Sequence, residues 1–141
     1  MTPAVVFSIV GIIAMPMWIL MIFLPNWRVT KFLMNFKVIP LVLSLVYVCY
    51  IFKAMQMGEG TVDFGSFTSV MAMFTEENAV LAGWVHYLVF DLLVGIWMLS
   101  KNEELKMNQF IMAPCLLGTF MFGPVGFLLF MIIKTIKQVK R

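Results

Sequence analysis

Charge is scarce in this chain: Asp, Glu, Lys and Arg make up 12% of its 141 residues, against about a quarter in globular proteins. Histidine occurs once, as His86, and cysteine twice, as Cys49 and Cys115, both inside apolar stretches. Two cysteines cannot form a disulfide framework, and within apolar runs they behave as small hydrophobes. One histidine cannot supply a histidine-rich di-iron centre or a facial iron site of two histidines and a carboxylate. A haem on one axial histidine has no supporting motif. No Gly-rich phosphate loop, nucleophile elbow or zinc spacing occurs either. The chemistry left open uses no metal and no cofactor: acid/base catalysis, or none at all.

What the chain has is apolar length. Hydrophobic residues make up 62%, with 14 methionines, which fill irregular gaps in a lipid-embedded interior. A membrane-crossing helix needs about 20 mostly apolar residues. Four runs qualify, at about residues 4–24, 38–57, 79–100 and 110–133. The first has no basic stretch before it and no small-x-small cleavage site after it, so it reads as a retained helix, kinked at Pro16. The second starts with Pro40 in its first turn and ends at Gly58. The third follows Thr75-Glu76-Glu77-Asn78, which supplies cap residues and first-turn acids. The fourth is interrupted by Gly123-Pro124 and Gly126.

Between the second and third runs, Phe67, Val70, Met71 and Phe74 recur at helical spacing. They suggest a short interfacial helix, with a loop touching lipid as the alternative. The expected fold is all-α: a single transmembrane domain over 1–141, an antiparallel four-helix bundle plus that short helix. Gly83, Gly95, Gly118, Gly123 and Gly126 are expected to let helices approach closely.

Basic residues do not fix the orientation. With four spans, Arg28, Lys31, Lys37, Lys101 and Lys106 lie on one side, and Lys53, Lys134, Lys137, Lys140 and Arg141 on the other. Five against five leaves the positive-inside rule without a choice. Acids cluster in the middle connection, as Glu59, Asp63, Glu76 and Glu77, but weigh little in that rule. Basic residues beside a span meet lipid head groups rather than nucleic acid. The expected partners are therefore membrane lipid and an apolar ligand, with a homo-oligomer as a way to enclose a long one.

Asp91 is the only acid within the four runs and sits near the middle of the third. A carboxylate at that depth costs several kcal/mol on insertion scales, so such residues usually face the bundle interior and mark function. No lysine or arginine lies at that depth, and burial without a cation favours the neutral, hydrogen-bonded acid. Tyr87, one turn earlier, is the obvious partner; Ser44, Tyr47, Tyr50 and Thr119 are others. His86 and Asp91 point about 140° apart around the helix with a rise of about 7.5 Å. They suit separate acid and base roles, or opposite ends of an elongated ligand. The alternative is that both only bridge helices through hydrogen bonds.

The run from Leu81 to Leu92, with His86, Leu88, Asp91 and Leu92 in place, resembles the His-x-Leu-x-x-Asp-Leu signature of ABA-deficient-4-like membrane proteins, whose plant members are neoxanthin-synthase proteins. Phe122-Gly123-Pro124-Val125-Gly126 is similar to the family's Phe-x-Pro-x-Gly segment. The family's first segment commonly continues to an arginine where this chain has Ile96. No plastid transit peptide precedes the first run, which suits a bacterial inner membrane. The resemblance implies carotenoid or related isoprenoid chemistry, in which an epoxide opens while a neighbouring carbon loses a proton. That isomerisation needs an acid and a base but no redox cofactor. Asp91 and His86 are the expected catalytic pair, with Trp84, Tyr87, Tyr47, Gly123 and Pro124 binding substrate. A non-catalytic membrane subunit, or a lipid- or carotenoid-binding protein, is the alternative.

Overall fold

A computed structural model describes residues 2–57 and 64–139. Gly58, Glu59, Asp63, Lys140 and Arg141 lie outside them. The described residues form seven helices: α1 Pro3–Phe23, α2 Arg28–Phe36, α3 Val38–Met57, α4 Phe67–Met73, α5 Glu77–Leu105, α6 Gln109–Phe122 and α7 Pro124–Val139. Three of them, α1, α3 and α5, are long and apolar enough to cross a membrane.

The long helices follow the apolar runs because nothing inside them breaks the pattern. Pro3 opens α1, where a missing N–H is harmless, and the helix continues through Pro16. At α5 the cap is Glu76: its carboxylate accepts from the Ala79 amide at 2.6 Å, and Asn78 donates to its other oxygen at 2.8 Å. Burial draws the Glu76 pKa upward, but these hydrogen bonds outweigh that and hold it below the usual glutamate value.

Two short helices join the long ones. In α2, Thr30 and Met34 are buried four residues apart, while Arg28, Lys31 and Phe32 face outward. This helix escapes a search for long apolar runs, since its polar and apolar residues alternate by face. It stops at Lys37, whose φ of 50° leaves helical space. Helix α4 occupies the expected place after Ser66, whose hydroxyl accepts from the Ser69 amide at 3.1 Å. None of its residues is buried.

The fourth run departs from the expected single span. Gly123, with a φ of 50°, ends α6, and Pro124 opens α7. The chain reverses there. In one continuous helix, Lys106 and Lys137 would stand about 46 Å apart at 1.5 Å per residue. Instead the Lys137 ammonium donates to the Lys106 carbonyl at 3.1 Å. A methyl group on Gly126 would collide with the Thr119 amide and the Cys115 carbonyl of α6. The two helices thus pack backbone to backbone as an antiparallel hairpin, which only a residue without a side chain allows.

Helix α5 is the centre of the fold and packs against α1, α3, α6 and α7. Trp18, Met21, Leu92, Met98, Leu116 and Phe130 are all but fully buried around it. Gly95 admits α1, since a methyl there would stand 3.0 Å from Met21 and 3.1 Å from the Trp18 ring. Gly83 does not act that way: nothing lies within 4 Å of where its side chain would be.

Candidate functional site

Asp91 stands at the midpoint of α5, only 9% exposed, facing the α6–α7 reversal. A methyl group at Gly123 would lie 2.9 Å from Asp91 Oδ1. Glycine is required there twice, by its left-handed φ and by the carboxyl group against it. The turn is further fixed by the Gly123 amide, which donates to Thr119 at 2.8 Å. Among the described residues, the one buried acid thus meets the tip of the α6–α7 hairpin.

Asp91 Oδ2 is buried with no hydrogen-bond partner, which is costly in an apolar interior. The nearest hydroxyl to it in sequence is Tyr87, one turn earlier on α5. This hydroxyl stands beside the Asp91 carboxyl and donates to the Phe120 carbonyl at 3.4 Å. Two of the other candidate hydroxyls are engaged elsewhere. Ser44 donates to Pro40 at 2.8 Å, and Thr119 donates to Cys115 at 2.9 Å with Met98 sulfur at 3.5 Å. Tyr50 carries the Lys53 ammonium over its ring at 4.6 Å.

His86 is exposed and points another way. Its ring stacks on Phe90 at 4.5 Å and meets Tyr47 of α3 at 5.6 Å. The structure therefore gathers two groups. Asp91, Gly123 and Tyr87 meet at the hairpin tip; His86 and Tyr47 meet on the α3 side. Pro124 is exposed and contributes the bend rather than a wall.

Beyond the tip lies a groove of about 1050 Å³, between the first turns of α1, the end of α4 and the first third of α5. Trp84, His86 and Tyr87 line it; Asp91, Tyr47, Gly123 and Pro124 do not. Phe7 of α1 faces Trp84 at 5.2 Å, and Trp84 stacks on Tyr87 at 5.7 Å. Tyr87 alone among these residues both lines the groove and adjoins the buried carboxyl.

Three contributors went unread in the sequence. Phe7 walls the groove, Phe120 supplies a carbonyl, and Trp18 packs its ring on Phe120 at 5.4 Å with its indole N–H buried and unpartnered. A tryptophan deep in an apolar run was a usable signal, because its N–H wants a partner. Phe7 and the Phe120 backbone carried none. Among the described residues, no three His, Cys, Asp or Glu side chains come together in a metal-binding group.

A family model described as ABA4-like, ABA DEFICIENT 4-like, matches residues 5–130, and so takes in most of the groove lining, Asp91 and the hairpin tip. The chain belongs to the ABA DEFICIENT 4-like family. Among curated proteins and among solved structures, nothing matches it. In this ABA DEFICIENT 4-like protein, the position where the resemblance anticipates an arginine holds Ile96, 4% exposed. An arginine there would enter the core one and a half turns from Asp91. With isoleucine, the interior keeps the acid and has no cation of its own at that position.

Proposed function

We propose that this ABA DEFICIENT 4-like protein is an integral membrane enzyme that takes a carotenoid or another isoprenoid into the groove and isomerises it by acid/base chemistry. One observation carries the reading: the apolar groove ends on Tyr87, which lies one turn before the buried acid and bonds the hairpin that closes over it. The family's link to carotenoids supports it, and so do the outward faces of the long helices. Ile12, Leu45 and Phe52 are more than half exposed, a pattern that suits lipid better than water.

A hydrocarbon ligand suits walls made of Phe7 and Trp84. In the reaction class implied by the family resemblance, an epoxide oxygen gains a proton as its C–O bond breaks. The neighbouring carbon loses a proton, and its bonding electrons form the new double bond. Protons balance and no electron is gained or lost. Tyr87, backed by Asp91, is the acid in this scheme, and His86 on the same groove is the base. The site resets when the proton returns from His86 to the Tyr87–Asp91 pair.

A second reading, carotenoid or lipid binding without chemistry, is favoured by two observations: Asp91 and His86 sit in separate clusters, and Ile96 leaves the acid without a cation. Pigment chromatography from carotenoid-accumulating bacterial cells tests both. The native chain should shift a pigment peak, and Tyr87→Phe and Asp91→Asn should abolish the shift with protein still in the membrane. Full turnover in either variant would remove that residue from the mechanism. An unchanged profile in every background, with pigment co-purifying, would favour the binding reading.

A further inference from the structure

The hairpin changes which side of the molecule the basic residues occupy. Helix α6 spans about 21 Å and α7 about 24 Å at 1.5 Å per residue, each short of a hydrocarbon core of about 30 Å. Both start and finish at one end. At its start, Gln109 donates to the Ile22 carbonyl at the close of α1, at 2.7 Å. At its finish, Lys137 reaches Lys106 just after α5. Lys134 lies over the ring of Trp97, itself two turns before the end of α5.

Arg28, Lys31, Lys37, Lys101, Lys106, Lys134 and Lys137 therefore all belong to this end, and among described basic residues only Lys53 belongs to the other. Its acids are already matched: Glu103 lies 3.7 Å from Lys31, and Glu104 lies 2.6 Å from Lys101. The opposite end carries Glu76 and Glu77 at the start of α5. Helix α2 lies at the basic end with Trp27, Phe32 and Phe36 at least half exposed beside Arg28 and Lys31. Aromatic residues alternating with cations are the composition of a segment lying in a head-group layer.

We propose that α6–α7 is a re-entrant hairpin and that the basic end docks on anionic phospholipid head groups of the cytoplasmic leaflet, leaving the groove to open in the opposite leaflet. The proposal rests on the membrane reading above. Seven cations against one give the positive-inside rule the decision that a fourth span denied it, and each adds attraction to an anionic surface.

Single cysteines in a background of Cys49→Ala and Cys115→Ala, labelled with a membrane-impermeant maleimide, test the arrangement. Gln56→Cys should label in intact bacterial cells, while Asn35→Cys and Thr135→Cys should label only after permeabilisation. Equal behaviour of positions 56 and 135, opposed to 35, would restore a fourth span and overturn the proposal. Labelling of 35 and 135 from outside would overturn the orientation. Release of the whole protein by carbonate wash would instead refute the membrane reading itself. For the lipid, thermal unfolding in detergent with added phosphatidylglycerol should shift upward relative to phosphatidylcholine. Lys31→Gln/Lys37→Gln/Lys137→Gln should remove that shift; an equal response to both lipids in the native chain would reject the anionic partner.

Discussion

At the basic end, α1, α5, α6 and α7 are packed to contact; at the other end, α1 and α5 meet only through residues such as Phe7 and Trp84 and border an open groove. The same two long helices pass through both regions, so the difference comes from the hairpin. It covers α1 near Trp18 and Met21 and α5 from Asp91 onward, where its tip at Gly123 rests, and Phe120 near that tip meets the Tyr87 hydroxyl. The groove begins where the hairpin ends, against residues 3–8 of α1 and 77–87 of α5. A half-length element thus fills one end of the α1–α5 surface and leaves a groove at the other, above a layer that stays buried at Val10, Leu81, Ala82 and Val85. In lipid, where apolar surface gains little by being covered, such density rests on close packing.

The comparison breaks most readily at Gly126. Gly126→Leu should prevent the α6–α7 contact and destabilise the protein by about 3 kcal/mol or more, read as loss of a monodisperse peak and a lower unfolding temperature in detergent. Gly83→Leu, at the groove end, should stay within about 0.5 kcal/mol of the native chain. Equal damage from the two would mean that the ends are equally packed.

A smaller effect sharpens the role of the tip. Gly123→Ala should cost about 2 kcal/mol, from the left-handed φ and from the nearby Asp91 oxygen. Trimming the acid in Asp91→Ser should relieve the second part, so the double variant should be more stable than the sum of the single changes predicts. Strict additivity would show that the carboxyl does not press on the tip.

The smallest effect belongs to the groove end. Glu76→Gln should lower stability by about 0.5 kcal/mol at neutral pH, as a weakened helix cap. The sign with pH follows from the lowered folded pKa. The charged cap contributes fully above the usual glutamate value and is lost as pH falls through the lower folded value. Native and Glu76→Gln unfolding temperatures should therefore converge in acid; a gap that widens there would exclude the cap.

Much of this was legible in the residues. Runs of about 20 apolar residues marked α1, α3 and α5, the Phe67 spacing marked α4, and a lone acid in the third run marked Asp91. The turn at Gly123-Pro124 was visible as an interruption, and Tyr87 as the neighbour one turn from the acid. Helix α2 was hidden because its burial rests on Thr30 and Met34 alone. The separation of His86 from Asp91 was half visible: helical geometry set them about 140° apart, but only the neighbours show that one faces Tyr47 and the other the hairpin.

Local chemistry alone settled where helices form and which residue interrupts the last run, because hydrogen bonding within a helix and the φ preferences of glycine and proline are properties of a few adjacent residues. Whether that interruption bends the chain or reverses it is not a local property. The reversal depends on Gly126 meeting the Thr119 and Cys115 backbone and on Asp91 closing against Gly123, contacts between segments that sequence order does not relate. The site, the groove beyond it and the side on which Lys134 and Lys137 emerge all follow from that packing.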